Sequence, residues 1–377
     1  MSRRFGGILA ALAGAAVLCV PAATASPGML LGLLDDANAL GDPGTTFPIL
    51  KTLRVQVVRM TLNWRGVAAT QPANGQDPSD PAYNWTRSDR AIQAAADQGI
   101  SVLLSIVGTP SWANGGQAPQ RPATDATTLY DFSYAAATRY SGTFTDAGGT
   151  KLPRVRLWLA WNEPNNPIDL APQYQRVRGK WVMAAAVAYA KICTAVYGGV
   201  HAAGIAGEKV ACGATAPRGN NAPSSSRPSI SPIAFLRGVK AAGLRRFDAW
   251  AHHPYYGSRL ETPTTRPPAS QNAVELGNID TLISELTRLY GPRRLWITEY
   301  GFQTNPPDTF FGVSWAKQAA YLRQAYLIAR ANPRVDLFTW FLLKDDVPIG
   351  GWQSGLMTAD GRKKPAFSAF QQLPHPV

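Results

Sequence analysis

Apolar residues along the chain recur in short runs, each followed by a polar or Gly/Pro-rich stretch and then by a segment of helical spacing. Eight of these runs predict strands: Met29–Leu34, Val55–Leu62, Ser101–Val107, Val155–Trp161, Lys209–Ala214, Phe247–His253, Leu295–Tyr300 and Val335–Leu342. Helix signals lie between them. Asn84 offers an N-cap to a helix running through Asp97, and Gly99 ends it. Ser231-Pro232 reads as N-cap and first helical residue, with Gly243 closing that helix. Tyr174 to about Ala203 predicts one long Ala-rich helix. Ile279, Leu282, Ile283, Leu286 and Leu289 form a single stripe, and Ser314–Ala331 predicts another amphipathic helix. A last short helix is expected over Pro365–Gln372.

Strands that alternate with helices pair in parallel through helical crossovers. A doubly wound open sheet and a closed barrel both satisfy this pattern. The count of eight selects the barrel: an α/β, (β/α)8 TIM barrel, one domain over residues 26–377. The loops after the strands, such as 215–231, 257–278 and 303–313, are long and rich in Pro, Asn and Ser. In a barrel they project from the C-terminal face, where catalysis is found.

Composition narrows the class. Of 377 residues, 45% are hydrophobic and 16% charged, which excludes a disordered chain. Residues 1–25 have the form of a secretory signal peptide. Arg3 and Arg4 precede the apolar run Phe5–Val20, and Ala23-Thr24-Ala25 supplies the small-x-small cleavage pattern. The run is shorter than the roughly 20 residues that span a bilayer. The expectation is a secreted, extracellular protein with no stable membrane association; an uncleaved anchor is the alternative. Loss of Arg3 and Arg4 lowers the formal charge by two, from +13 to +11. The basic residues are scattered and no nucleic-acid motif accompanies them, so nucleic acid is not expected as a partner. Beyond residue 25 two cysteines remain, Cys193 and Cys212. They either pair, as an oxidising compartment allows, or stay buried thiols, one on a helix and one on a strand.

Two strand ends carry the candidate chemistry. One reads Leu157-Trp158-Leu159-Ala160-Trp161-Asn162-Glu163-Pro164 and the other Leu295-Trp296-Ile297-Thr298-Glu299-Tyr300-Gly301-Phe302. Each brings a carboxylate out of an apolar strand, where burial without a role is costly. The fourth and seventh strands face each other across a barrel, so Glu163 and Glu299 should converge. Two facing carboxylates are the equipment of glycoside hydrolysis. The charge on one should raise the pKa of the other. Arg59, inside the apolar second strand, needs an internal acid. Adjacent His252 and His253 point to opposite faces, which puts His253 on one face with Tyr255 and leaves His252 structural. No ligand spacing accompanies the two histidines, and neither metal nor cofactor is expected.

The segments Asn162-Glu163-Pro164 and Thr298-Glu299-Tyr300-Gly301 resemble the signatures of glycoside hydrolase clan A, with families 5 and 39 nearest. That resemblance implies a retaining O-glycosyl hydrolase on a (β/α)8 barrel. It gives Glu163 as acid/base and Glu299 as nucleophile. Asn162 would bind the sugar 2-hydroxyl, Arg59 would hold the nucleophile ionised, and His253 and Tyr255 would form the His-x-Tyr element. Trp340 would be the platform under the sugar. The stretch 355–367 resembles the clan's passage into the last helix. Trp112 stacks sugar or packs a loop; Trp64 and Trp352 are candidates of the same kind, while Trp161 is expected in the core. Asp345 and Asp346 either bind sugar hydroxyls or form a solvated turn. The expected partner is a carbohydrate, with β-linked wall glycan as the default, acted on by a monomer. A secreted carbohydrate-binding barrel without catalysis and a transglycosylase are the alternatives.

Overall fold

The computed structural model describes residues 26–374; the expected signal peptide, 1–25, lies outside the described residues. Eight parallel strands close on one another: β1 (Leu30–Leu34), β2 (Val57–Asn63), β3 (Ser101–Val107), β4 (Leu157–Ala160), β7 (Lys209–Thr215), β8 (Ala249–His252), β9 (Arg294–Tyr300) and β10 (Val335–Phe341). Helices separate them in sequence, which makes a single (β/α)8 TIM barrel. They are α1 (Asp36–Gly41), α2 (Pro43–Thr52), α3 (Trp64–Val67), α4 (Thr86–Asp97), α5 (Thr127–Arg139), α6 (Ala184–Ala202), α7 (Pro232–Ala241), α8 (Ile279–Tyr290), α9 (Trp315–Ala331) and α10 (Pro365–Gln371). Each expected strand is present: β3 has the expected bounds, and the others differ by one or two residues at one or both ends.

Strand alternation sorts the core into two layers. Val57, Leu103, Leu159, Ala211, Ala249, Ala251, Trp296 and Leu337 fill the barrel interior. The intervening residues, Val58, Trp158, Trp250, Phe338 and Trp340 among them, pack outward against the helices. Small residues on β7 and β8 leave room for Trp296 in the lumen. Gly199 lets α6 lie close on α5, since a Cβ there would collide with the Tyr130 carbonyl.

The helix signals hold, with two exceptions. Ser314 caps α9 by accepting from the Lys317 amide, whereas the N-cap of α4 is Trp85 and not Asn84, which lies one residue further out and accepts from Thr86 N at 3.2 Å. Gly99 and Gly243 follow their helices with φ of 67° and 97°. The long helix expected from Tyr174 begins only at Ala184. Its first part is instead a hairpin, β5 (Gln175–Val177) and β6 (Lys180–Val182). Arg178 and Gly179 both take positive φ, 49° and 79°, the conformation of a two-residue hairpin turn, which no helix tolerates. Cys193 of α6 and Cys212 of β7 are joined by a disulfide, Cα atoms 5.9 Å apart, tying helix layer to barrel. Among the described residues no helix is long and apolar enough to cross a membrane.

Asp345 neither faces sugar nor forms a solvated turn. It is buried in an ion pair with Lys364, whose Nζ donates to Asp345 Oδ1 at 2.7 Å and to Thr304 Oγ1 at 2.8 Å. This pair staples the loop after β10 to the start of α10. Removing one partner strands the other charge in the interior. Lys364→Met is therefore expected to cost about 3–5 kcal/mol in chemical denaturation. A loss below about 1 kcal/mol would show that the pair carries no structural weight.

Candidate active site

Four devices aim the site residues at the mouth of the barrel. On β2, Arg59 follows inward-facing Val57 by two positions and faces the lumen by simple alternation. On β8 the same rule carries Ala249 and Ala251 on to His253, while His252 turns outward. Beyond β4, Trp161 and Glu163 adopt positive φ, 70° and 32°, which turns both Asn162 and Glu163 toward the lumen. Such conformations cost non-glycine residues on the order of 1–2 kcal/mol each and concentrate at functional sites. On β9 a bulge opposes three residue steps, Ile297 to Tyr300, to two on β10, Phe338 to Trp340. The extra residue lets Thr298 and Glu299 both approach the lumen and returns Tyr300 to the outer layer.

Arg59 is the hub. It is 3% exposed, and its Nη1 donates to Glu299 Oε2 at 3.0 Å and to the Thr298 carbonyl at 3.1 Å. Its Nη2 donates to Asn162 Oδ1 at 2.7 Å. Tyr255 OH donates to the other oxygen of Glu299, Oε1, at 2.9 Å. Arg59 Nη1 also lies 3.2 Å from His253 Nε2. A guanidinium has no lone pair to offer, so Nε2 carries no hydrogen toward it and accepts from Thr298 Oγ1 at 3.0 Å. The ring proton then sits on Nδ1, which donates to Glu163 Oε1 at 3.0 Å. Asn166 Nδ2 donates to Glu163 Oε2 at 3.2 Å. His252 is structural as expected, held by Thr215 Oγ1 at 2.7 Å and the Val274 carbonyl at 2.9 Å.

The two glutamates thus sit in different surroundings. Glu299 receives a cation and a phenol. Burial pushes the Glu163 carboxyl above the ordinary carboxylate range, with the Asn166 amide and the charge of Arg59 pulling it partly back. Burial, and not the charge on Glu299, is the main cause of that rise. Burial likewise lowers His253 to about 3, so the imidazole is neutral at physiological pH.

Glu163, His253 and Glu299 each offer a ligand atom, all within 4.8 Å of one another. A metal ion fits this trio poorly. The Arg59 guanidinium already neutralises Glu299, and the Nδ1 of His253 that faces Glu163 bears the ring proton.

Two expected contacts are corrected. Trp340 is fully buried in the outer layer, against Tyr300 with ring centroids 6.2 Å apart, and its Nε1 donates to the Ser354 carbonyl at 3.0 Å. It cannot lie under a sugar. Its neighbour Phe341 has the inward parity and lines the cavity beside Glu299. Trp352 stands at 5.4 Å from Phe341 and 5.5 Å from Tyr255, a cluster of three rings of which Phe341 lines the cavity. Trp112 packs edge-on against buried Trp64 at 5.8 Å and donates to the Ala68 carbonyl at 2.8 Å; neither tryptophan reaches the carboxylates. Trp161 is buried, as expected.

One carboxylate escaped the sequence. Asp169, six residues past Glu163, accepts from Asn162 Nδ2 at 3.0 Å and lines the same cavity as Arg59, Asn162, Glu299 and Phe341. No periodicity marks it, because it lies in a loop. The cavity encloses about 460 Å³. It shares Asp36, Thr61 and Asn63 with a second cavity of about 590 Å³ that runs on to Arg87 and Arg90.

No protein-family model and no curated protein sequence matches the chain. Solved structures do. A family 39 glycoside hydrolase from Bacteroides cellulosilyticus superposes with a TM-score of 0.63 at 20% identity, over 92% of this chain and 63% of its own. A glucosidase from Croceicoccus marinus gives 0.61 at 17%, over 91% of this chain and 66% of its own. GH5_18 from Streptomyces cattleya, solved with GlcNAc, gives 0.61 at 16%, over 94% of this chain and 83% of its own. The chain therefore spans just under two thirds of the length of the first two. At these identities the likeness establishes the barrel and its strand order.

Proposed function

We propose that the chain is a secreted, retaining glycoside hydrolase of clan A type that cleaves β-linked oligo- or polysaccharide. One observation carries this reading: oxygens of Glu163 and Glu299 approach within 4.8 Å. An inverting pair stands about 6.5–9.5 Å apart to admit a water between carboxylate and sugar, whereas a retaining pair stands about 5–5.5 Å apart. The barrel shared with glycoside hydrolases and the disulfide, which suits an oxidising compartment, support the same reading.

The surroundings divide the roles. Glu299, held by Arg59 and Tyr255, presents an oxygen to the anomeric carbon. As that carbon–oxygen bond forms, the bond to the leaving group breaks and Glu163 gives its proton to the departing oxygen. Glu163, now a carboxylate, takes a proton from water; the hydroxyl adds to the anomeric carbon and Glu299 leaves. Neutral His253 keeps its Nδ1–H on Glu163 through both steps. The two adjoining cavities, one lined by Glu299 and Asn63 and the other by Asn63 and Arg90, support a substrate of several sugars.

Release of 4-nitrophenol from β-glycosides and of reducing sugar from polysaccharides tests the reading. The configuration of the first-formed product is followed by ¹H NMR. Retained configuration is expected. An inverted product would overturn the retaining assignment, and glycan binding without any hydrolysis would replace the enzyme by a lectin-like barrel.

A further inference from the structure

We propose that Asp169 is a positioning and specificity residue: its Oδ1 locks the Asn162 amide in one orientation, and its Oδ2 receives a hydroxyl of the sugar seated against Glu299. The sugar ligand rests on the glycosidase reading; the lock on Asn162 does not.

The orientation follows from donor chemistry. Arg59 Nη2 can only donate, so the Asn162 atom 2.7 Å away is its carbonyl oxygen. Nδ2 must then face the other way, where Asp169 Oδ1 accepts at 3.0 Å. One Nδ2 hydrogen is used there, and the second is free to reach the cavity. A chain of polar contacts thus runs Glu299–Arg59–Asn162–Asp169 across the barrel mouth. Asp169 is itself fixed. Its carbonyl accepts from Trp161 Nε1 at 2.8 Å, and its amide donates to the Asn166 carbonyl at 3.2 Å. The loop after β4 therefore folds back so that its far end supports its near end. Asp169 lines the cavity with Glu299 and Phe341, and among the described residues no protein group bonds Oδ2.

The electrostatics give the residue a signature. Burial pushes Asp169 up to about 7; the Asn162 amide and Arg59 pull it down, while Glu163 and Glu299 push it further up. Asp36 and Arg65 line the same cavity, and neutral His253 stands behind Glu163. Repulsion between two carboxylates is mutual. An ionised Asp169 therefore makes Glu163 hold its proton to higher pH. Removing that charge should let Glu163 deprotonate earlier.

Two measurements decide the matter. In a double-mutant cycle of Asn162→Ala and Asp169→Ala, read as kcat/KM on a 4-nitrophenyl β-glycoside, each single variant is expected to lose about 10–100-fold. The double variant should lose little more than the worse single one. Asp169→Asn should move the alkaline limb of kcat/KM to lower pH with thermal unfolding unchanged. Additive losses and an unmoved limb would overturn the proposal. The second measurement needs no substrate. The side-chain ¹⁵N–¹H₂ resonances of Asn162, identified by their loss in Asn162→Ala, should follow a titration near neutrality that is absent in Asp169→Ala. Resonances indifferent to pH and to Asp169 would overturn the lock whatever the activity. A wild type that hydrolyses nothing would overturn the glycosidase reading and the sugar contact with it, while these resonances still decide the lock.

Discussion

Glu299→Gln is expected to lower kcat on the order of 10⁵-fold or more, the scale on which removing a covalent nucleophile acts. The substitution keeps the shape: the amide carbonyl can still accept from Arg59, which only donates, and the NH2 group can donate to the Tyr255 hydroxyl. Two losses follow. The amide has no charge with which to attack the anomeric carbon, and Arg59, 3% exposed, loses its anionic partner. The second loss destabilises as well, since a buried cation left unpaired is costly. Thermal unfolding must therefore be measured beside kcat, at a temperature where the variant is folded. Glu299→Gly with added azide separates the two effects. Azide attacks the anomeric carbon from the face that Glu299 vacates, giving a glycosyl azide of inverted configuration. A folded Glu299→Gln variant that keeps a tenth of wild-type activity would remove Glu299 from the nucleophile's role.

The barrel was legible because its signals are periodic. Eight apolar runs and their intervening stripes recur along the whole chain, and strand parity alone separated His253 from His252. The same parity places Phe341, not Trp340, toward the lumen, because inward-facing Leu337 precedes Phe341 by four positions. The tryptophan expected as platform is thus corrected by a rule already in the sequence. Glu299 is the opposite case. It follows Trp296 by three positions, so unbroken alternation would turn it outward, and the bulge against β10 brings it in. Nothing in Leu295–Tyr300 announces that bulge, which arises from pairing between strands. The positive φ values of Trp161 and Glu163 are equally silent, since no glycine marks them. Asp169 and the Asp345–Lys364 pair could not be found by pattern, because loops bring their partners together through tertiary folding. The hairpin before α6 did leave a trace. Arg178-Gly179 between Val177 and Lys180 is a turn signal that the Ala-rich stretch behind it obscured.

Glu163→Ala should divide substrates by their leaving groups. A general acid contributes about 10²–10⁴-fold when the departing oxygen needs a proton. Alkyl and sugar leaving groups should lose activity on that scale. A 2,4-dinitrophenolate leaves without help, so kcat/KM for its glycosides should stay within about 10-fold of wild type. Added azide should restore turnover by entering where water would, giving a glycosyl azide of retained configuration. The pH dependence follows from the raised pKa of Glu163. The acid must be protonated to act, so activity on natural leaving groups persists above the ordinary carboxylate range and falls as pH rises through the raised value. That alkaline limb should vanish in Glu163→Ala when kcat/KM is measured with 2,4-dinitrophenyl glycosides. A residual limb near neutrality would belong to Asp169, whose carboxyl lies at about 7, and should disappear in Glu163→Ala/Asp169→Asn. Equal losses on good and poor leaving groups would take the acid/base role from Glu163. The approach of the two carboxyls to within 4.8 Å would then need another explanation than double displacement.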